Sequence, residues 1–155
     1  MQEGQGQLAR RRFMSNAVLN MSISLDGYVS GENDCREYPL GNGGEVLHYW
    51  MRQGSTVHKE NIDPQYHGFF KTSGNNTKIV SDFFSEIGAM IFGRRTYELV
   101  DGWGGSYPVK DIPFFVVTTN PSTNPPEGNS RIKFIDNLKA QSIRRLNYRV
   151  AEILA

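Results

Sequence analysis

The stretch that most constrains this chain runs Ala89-Met90-Ile91-Phe92-Gly93-Arg94-Arg95-Thr96-Tyr97-Glu98. A short, wholly apolar run stops at a glycine, and two arginines and a threonine then open a helical segment. Apolar runs of this length, bounded by turn residues, suit a strand buried on both faces. Such a strand needs a covered parallel sheet, so the segment predicts an α/β fold. Gly93 lets the backbone turn sharply and approach a ligand closely. The free N–H groups of a first helical turn, with the helix dipole behind them, favour an anion. Arg94 and Arg95 add planar, multi-donor cations suited to phosphate. Gly93, Arg94, Arg95 and Thr96 are therefore candidates for binding a nucleotide phosphate at the carboxyl end of a sheet strand. Structural βα units carry the same features, so the segment needs support from its neighbours.

The rest of the chain supplies that context. Alternating polar and apolar residues from Val18 to Leu25 predict a half-buried first strand, ended by the turn pair Asp26-Gly27. Val46, Leu47, Trp50 and Met51 fall at helical spacing, predicting a helix at about 44–53. Residues 54–76 are polar and rich in Gly and Asn, a long segment expected to lack regular structure and to be functional or mobile. Ile79, Val80, Phe83, Phe84 and Ile87 form the apolar stripe of a second helix. A third strand is expected at 113–118 and a fourth at Arg131 to Ile135. Strands joined by crossovers imply a parallel sheet with right-handed connections. Ligands of such sheets bind beyond the carboxyl ends of the strands. Segments 25–31, 93–97 and 118–121 all follow a strand, so they can converge on one cleft.

Three motifs, SLDGYVSG (24–31), FGRRTYE (92–98) and PFFVVTTNP (113–121), occur in this order and spacing. The set resembles the dihydrofolate-reductase-like superfamily. The likeness is to the branch containing the C-terminal reductase domain of the bacterial bifunctional riboflavin-pathway deaminase-reductase, and it extends from about Asn16 to about Ala140. It implies a mostly parallel central sheet with flanking helices, incomplete at the C-terminus. It also implies NADPH-dependent hydride transfer to a pyrimidine-like or pterin-like heterocycle, as in 5-amino-6-(5-phosphoribosylamino)uracil reduction. On this resemblance Arg94, Arg95 and Thr96 contact cofactor phosphates. Thr118 and Thr119 pack on the adenosine half and donate hydroxyl hydrogen bonds. Asp26 stands at the nicotinamide and substrate end, although a turn-forming aspartate explains it equally. Glu45 occupies the region of a pterin-handling carboxylate, with an exposed first-turn glutamate as the simpler account.

Relatives of this kind continue with a further strand, a Gly-Gly turn and helix at the cofactor pyrophosphate, and a closing hairpin. From Asn137 this chain instead reads NLKAQSIRRLNYRVAEILA. Ile143, Leu146, Val150, Ile153 and Leu154 share one helical face, with Arg144, Arg145 and Arg149 mostly beside it. Residues 141–155 are thus expected to form an amphipathic helix that docks on apolar surface. Residues 14–140 are expected to be the reductase-like domain and residues 1–13 a disordered basic extension, with Met14 as an alternative start. A second reading of the chain is a truncated, non-catalytic binding or assembly module. Its unpaired sheet edge would invite a second copy and a homodimer.

Composition narrows the classes further. One domain is natural for 155 residues, and such a chain can bury a real core. The 38% hydrophobic content, with nine Phe and seven Tyr, fits a globular protein, and no apolar stretch approaches membrane-spanning length. The first residues lack the apolar run of a secretory signal, and the single cysteine, Cys35, excludes an internal disulfide. A cytoplasmic location is expected. Net charge is +1, but residues 131–155 carry six basic and two acidic side chains. A solvated helix face explains that tail better than nucleic acid does. His48, His58 and His67 are too irregularly spaced for a metal set, and Trp103 reads as an anchored loop aromatic.

Overall fold

The computed structural model describes residues 17–136 and 150–153. Its regular elements are β1 (Ala17–Leu19), β2 (Thr56–Val57), β3 (Lys71–Thr72), α1 (Asn75–Glu86), β4 (Ala89–Gly93), α2 (Arg94–Leu99), β5 (Pro113–Val117), β6 (Arg131–Ile135) and β7 (Val150–Ile153). Short 3-10 helices span Gly44–Met51, Pro64–Tyr66 and Asp101–Gly105. Five strands form one sheet in the order β1-β7-β4-β5-β6. Every neighbouring pair in it is parallel. The architecture is α/β with a parallel central sheet and flanking helices, as expected. No helix among the described residues is long and apolar enough to cross a membrane.

β4 is the sheet's centre, and its composition explains why. Ala89, Met90, Ile91 and Phe92 are all buried, so both faces of the strand are covered. Met90, Phe92 and Phe114 point to one face and meet Val80 and Phe84 of α1, together with Ile62, Phe70 and Val109. Ala89, Ile91 and Phe115 point to the other face, beside Val117 and Ile135. The first face is unusually aromatic. Phe92 lies 4.7 Å from Trp103, 5.4 Å from Tyr107 and 5.9 Å from Phe114 between ring centroids. Trp103 is thus an anchored loop aromatic, packed edge-on against Tyr107 at 4.7 Å.

Three sequence expectations change. The first strand is only Ala17–Leu19, each residue of it exposed, at the edge of the sheet among the described residues. From Asn20 the backbone is irregular, held where the Trp50 indole donates to Ser22 Oγ at 3.2 Å. Residues 54–76 are not structureless. Thr56 pairs with Thr72 and Val57 with Lys71 in an antiparallel pair, while Ile62 and Phe70 enter the core. Polar composition hid this because two buried apolar side chains are enough to anchor a loop. The helical reading of the C-terminal tail also fails at Val150–Ile153, which is a strand between β1 and β4. The backbone groups of β1 and β4 are both satisfied by inserting one strand, and β-branched Val150 and Ile153 suit it. That gain outweighs the helical spacing. Ile143, Leu146 and Leu154, the other members of the expected stripe, lie outside the described residues, as does the expected extension 1–13.

His58 and Thr72 are the buried polar pair of the β2–β3 region, 9% and 0% exposed. Burial lowers the His58 pKa from its ordinary value, and burial followed by the Arg52 charge does the same at His48. For a base kept neutral by folding, the unfolded chain takes up the proton first. Stability is therefore highest above the unfolded histidine pKa of about 6.5 and falls as pH drops below it. The melting temperature should be level from pH 7 to 8 and decline below about pH 6.5. Replacing His58 with Gln should flatten part of that decline, leaving the His48 share. A melting temperature that rises on acidification would contradict the burial of both rings.

Candidate functional site

The carboxyl ends of β4 and β5 lie level, because Gly93 and Val117 are register partners. Arg94 and Thr118, the next residues, therefore emerge side by side. Val117 pairs in turn with Ile135, and the Thr118 N–H donates to the Ile135 carbonyl at 2.8 Å. Beyond this edge lies a cleft of about 360 Å³. Arg94, Tyr97 and Glu98 of α2, Asp101 and Gly102, Thr118 and Asn120, and the 121–126 loop form its walls, with Arg36 reaching in from the first long loop. That volume is at the small end of the range of roughly 300–1,000 Å³ for small-molecule sites.

Charge is concentrated here. Arg94 and Arg95 open α2, and no acidic residue stands in its first turn. Cations at that end oppose the helix dipole, at roughly 0.3–1 kcal/mol each for exposed groups. Carboxylates offset them. Arg94 Nε donates to Glu98 Oε1 at 2.6 Å, and Arg95 Nη2 donates to Asp34. Arg36 Nη1 lies 3.3 Å from Asp101 Oδ1. Two of these pairs tie the 32–38 loop to the α2 region. The Arg94–Glu98 and Arg36–Asp101 pairs are substantially exposed, so each contributes little to stability, and an incoming anion can displace those carboxylates at small cost; Asp34 is only 22% exposed.

Two hydroxyls nearby are unmatched. Thr96 Oγ1 and the Tyr97 hydroxyl are sealed from solvent with no hydrogen-bond partner. Buried, unmatched polar atoms cost about 1–3 kcal/mol each, so they point to a missing partner or to strain. Burial first, and the Asp101 charge second, raise the Tyr97 pKa and keep the phenol a protonated donor. Its ring packs edge-on against Phe134 at 5.5 Å.

The Asp101–Gly105 segment beside the cleft carries backbone strain. Residues 101–105 all have positive φ, including the non-glycines Asp101 (48°) and Trp103 (53°). The three glycines adopt such values freely, but the two L-residues persist there only where packing holds them, Trp103 through its contacts with Phe92 and Tyr107.

Of the expected site residues, Arg94 and Thr118 line the cleft. Thr118 Oγ1 is committed locally, donating to the Asn120 carbonyl at 3.1 Å and accepting from its N–H at 3.0 Å. Gly93 is the hinge into α2. Arg95 is turned toward Asp34, and Thr96 is half-buried beside the cleft rather than on its wall. Thr119 is exposed outside it. Asp26 accepts a 2.6 Å hydrogen bond from Ser24 Oγ within its turn, and Gly27 adopts φ 93° there. Glu45 is half-buried in the 3-10 helix at Gly44–Met51. Neither carboxylate is on the cleft wall. Arg36 and Tyr97 were not singled out from sequence. Tyr97 shares the Arg94 face of α2 at i+3, a signal that could have found it. Nothing local to Arg36 announces its Asp101 partner.

No protein-family model and no curated protein matches this chain. Among solved structures it is similar to a "putative riboflavin biosynthesis protein" from Shewanella sp. PV-4, at 17% identity and a TM-score of 0.48. The match covers 90% of this chain, which spans 64% of the length of that structure.

Proposed function

We propose that this chain is a member of the dihydrofolate-reductase-like superfamily, and that its cleft takes the phosphate-bearing adenosine end of NADPH in the reduction of a pyrimidine-like or pterin-like heterocycle. The observation that carries this reading is the convergence of two sequence motifs, FGRRTYE and VVTTNP, on one cleft at the carboxyl edge of a parallel sheet, where Arg94 and Arg36 stand paired with Glu98 and Asp101. Ligands of open parallel sheets bind at that edge.

The residues fit one half of such a cofactor. Arg94 and Arg36 supply cations for a ribose phosphate once it displaces their carboxylate partners, and Tyr97 forms part of the same wall. The bound nicotinamide would supply hydride to a C=N or C=O carbon of the heterocycle. The protein's part is to orient cofactor and substrate and to exclude water. Asp26 and Glu45 stand outside this cleft and are proposed for the substrate end, as residues that hold substrate polar atoms or position a proton. A cytoplasmic protein is the setting this chemistry suits.

Fluorescence titration with NADPH and NADH tests the reading. NADPH should bind more tightly, because the additional phosphate meets Arg94. Arg94→Ala should weaken NADPH by about 1.5–3 kcal/mol, roughly tenfold or more, and NADH much less. Equal loss for both nucleotides would leave Arg94 a structural partner of Glu98. Failure of both wild-type nucleotides to bind at millimolar concentration would reject the cofactor site.

A second reading is a non-catalytic binding or assembly module, and one observation favours it. The cleft gathers cofactor-type residues, while both candidate catalytic carboxylates lie off its wall. β1 is also an exposed edge strand, which can pair with another copy. Light scattering that finds a dimer, without NADPH oxidation for any heterocycle offered, would support the module.

A further inference from the structure

A second cavity, sharing no residue with the Arg94 cleft, opens between the β2 segment and α1. It encloses about 230 Å³. One wall is Thr56, Val57, His58, Lys59 and Glu60, and the other is Thr77, Ser81, Phe84 and Ser85 of α1. Thr77, Ser81 and Ser85 stand at i, i+4 and i+8, so one strip of the helix carries three hydroxyls. Ser81 and Ser85 are exposed and Thr77 is half-buried, so the strip faces water at the mouth of the gap beside β2.

The gap is backed by a buried polar chain. His58 Nε2 lies 2.6 Å from Thr72 Oγ1, and the Thr72 hydroxyl lies 3.1 Å from Thr77 Oγ1. Thr72 is wholly buried and His58 is 9% exposed. The chain can run its protons in either direction: His58 Nε2–H donates to Thr72 and Thr72 to Thr77, or Thr77 donates to Thr72 and Thr72 to a bare Nε2. In each case one end of the chain is left as a donor and the other as an acceptor. No hydrogen bond to Nδ1 is seen among the described residues, and His58 and Thr77 both line the cavity. The residues at the two ends of the chain therefore border the same space, one end asking for a donor and the other for an acceptor. Hydroxyl groups supply both roles at once, and a ligand carrying adjacent hydroxyls would close the chain into a ring of mutually polarising bonds. Phe84 and Val57 provide apolar surface for the carbon skeleton.

We propose that this cavity is a binding site for a small uncharged polyol, a monosaccharide-sized ring whose adjacent hydroxyls bridge His58 Nδ1 and Thr77 Oγ1. Ser81 supplies a further hydroxyl contact. Burial lowers the His58 pKa and so favours the neutral ring, in which one nitrogen donates and the other accepts.

The full chain, labelled with 15N, is titrated with D-glucose, with myo-inositol and separately with inorganic phosphate. The His58 ring nitrogens are followed through their two-bond proton correlations. Either polyol should shift Nδ1 saturably, and phosphate should not. Ser81→Phe fills the gap from the exposed side of α1 without touching the buried chain. It should weaken the polyol at least about tenfold while the melting temperature stays within a degree or two of wild type. Thr77→Val removes the hydroxyl at the far end and should weaken binding similarly. If Ser81→Phe lowers the melting temperature, Ser81→Met provides the same filling with a more compliant side chain. Overturning results are an Nδ1 signal that no polyol moves, a shift that persists in both variants, or a response to phosphate alone.

Discussion

Replacing Phe92 with Ala should cost this protein about 3–5 kcal/mol of folding stability. Phe92 is 1% exposed at the centre of the sheet, and its ring touches Trp103, Tyr107 and Phe114. Truncation removes the transfer free energy of the ring and leaves a cavity that three neighbouring rings, tied to separate segments, cannot easily fill. The consequence reaches the cleft. Trp103 belongs to the left-handed run at 101–105, and its packing on Phe92 holds that strained backbone in place. Domains of this size have only about 5–15 kcal/mol in total, so the variant should melt about 6–20 °C lower. It should also lose affinity at the Arg94 cleft, because Asp101 and Gly102 line it. Phe92→Leu keeps most of the volume and should retain most of the stability. A loss below about 1 kcal/mol for Phe92→Ala, measured by denaturant unfolding, would contradict the aromatic packing described.

What the sequence made legible follows the range of the interactions involved. α1, β4, α2, β5 and β6 each announce themselves through local period and punctuation. Each was expected within a few residues of its observed limits, because the pattern that defines these elements is also the pattern that buries them. The segments that mislead are those settled by distant partners. Val150–Ile153 has helical spacing in sequence, yet it becomes a strand where β1 and β4 both offer backbone groups. Residues 54–76 look like solvent-exposed linker, yet Ile62 bridges to Val109, far along the chain. The site divides in the same way. Arg94 and Thr118 could be placed on one cleft because each follows a strand in a parallel sheet. The two consecutive arginines part company only in three dimensions, with Arg95 drawn to Asp34, 61 positions earlier. Arg36 was invisible for the same reason, since its role depends on where a long loop returns.

That loop geometry makes the second large prediction. Gly105 has φ 78°, a conformation that costs an L-residue roughly 1–2 kcal/mol. A Cβ there would also stand 2.5 Å from the Glu127 carbonyl carbon and oxygen. Backbone, unlike a flexible side-chain tip, cannot swing aside. Here it is stitched on both sides. The Ser130 N–H donates to the Gly105 carbonyl at 2.9 Å, the Tyr107 N–H to Ser130 Oγ at 2.6 Å, and the Asn129 N–H to Ser106 Oγ at 3.2 Å. Relieving the clash means parting the 105–107 and 127–130 segments and surrendering some of these bonds, at about 1 kcal/mol each. Gly105→Ala should therefore cost about 3 kcal/mol or more. The cleft wall should be disturbed as well, because Gly102 and Pro126 come from the same two loops. Gly104 separates the two causes. Its φ is 57°, but no atom lies within 4 Å of its would-be Cβ, so Gly104→Ala should show the conformational cost alone. The difference between the two variants in denaturant unfolding measures the close approach itself. Equal losses at both positions would mean that the loops do not meet at Gly105.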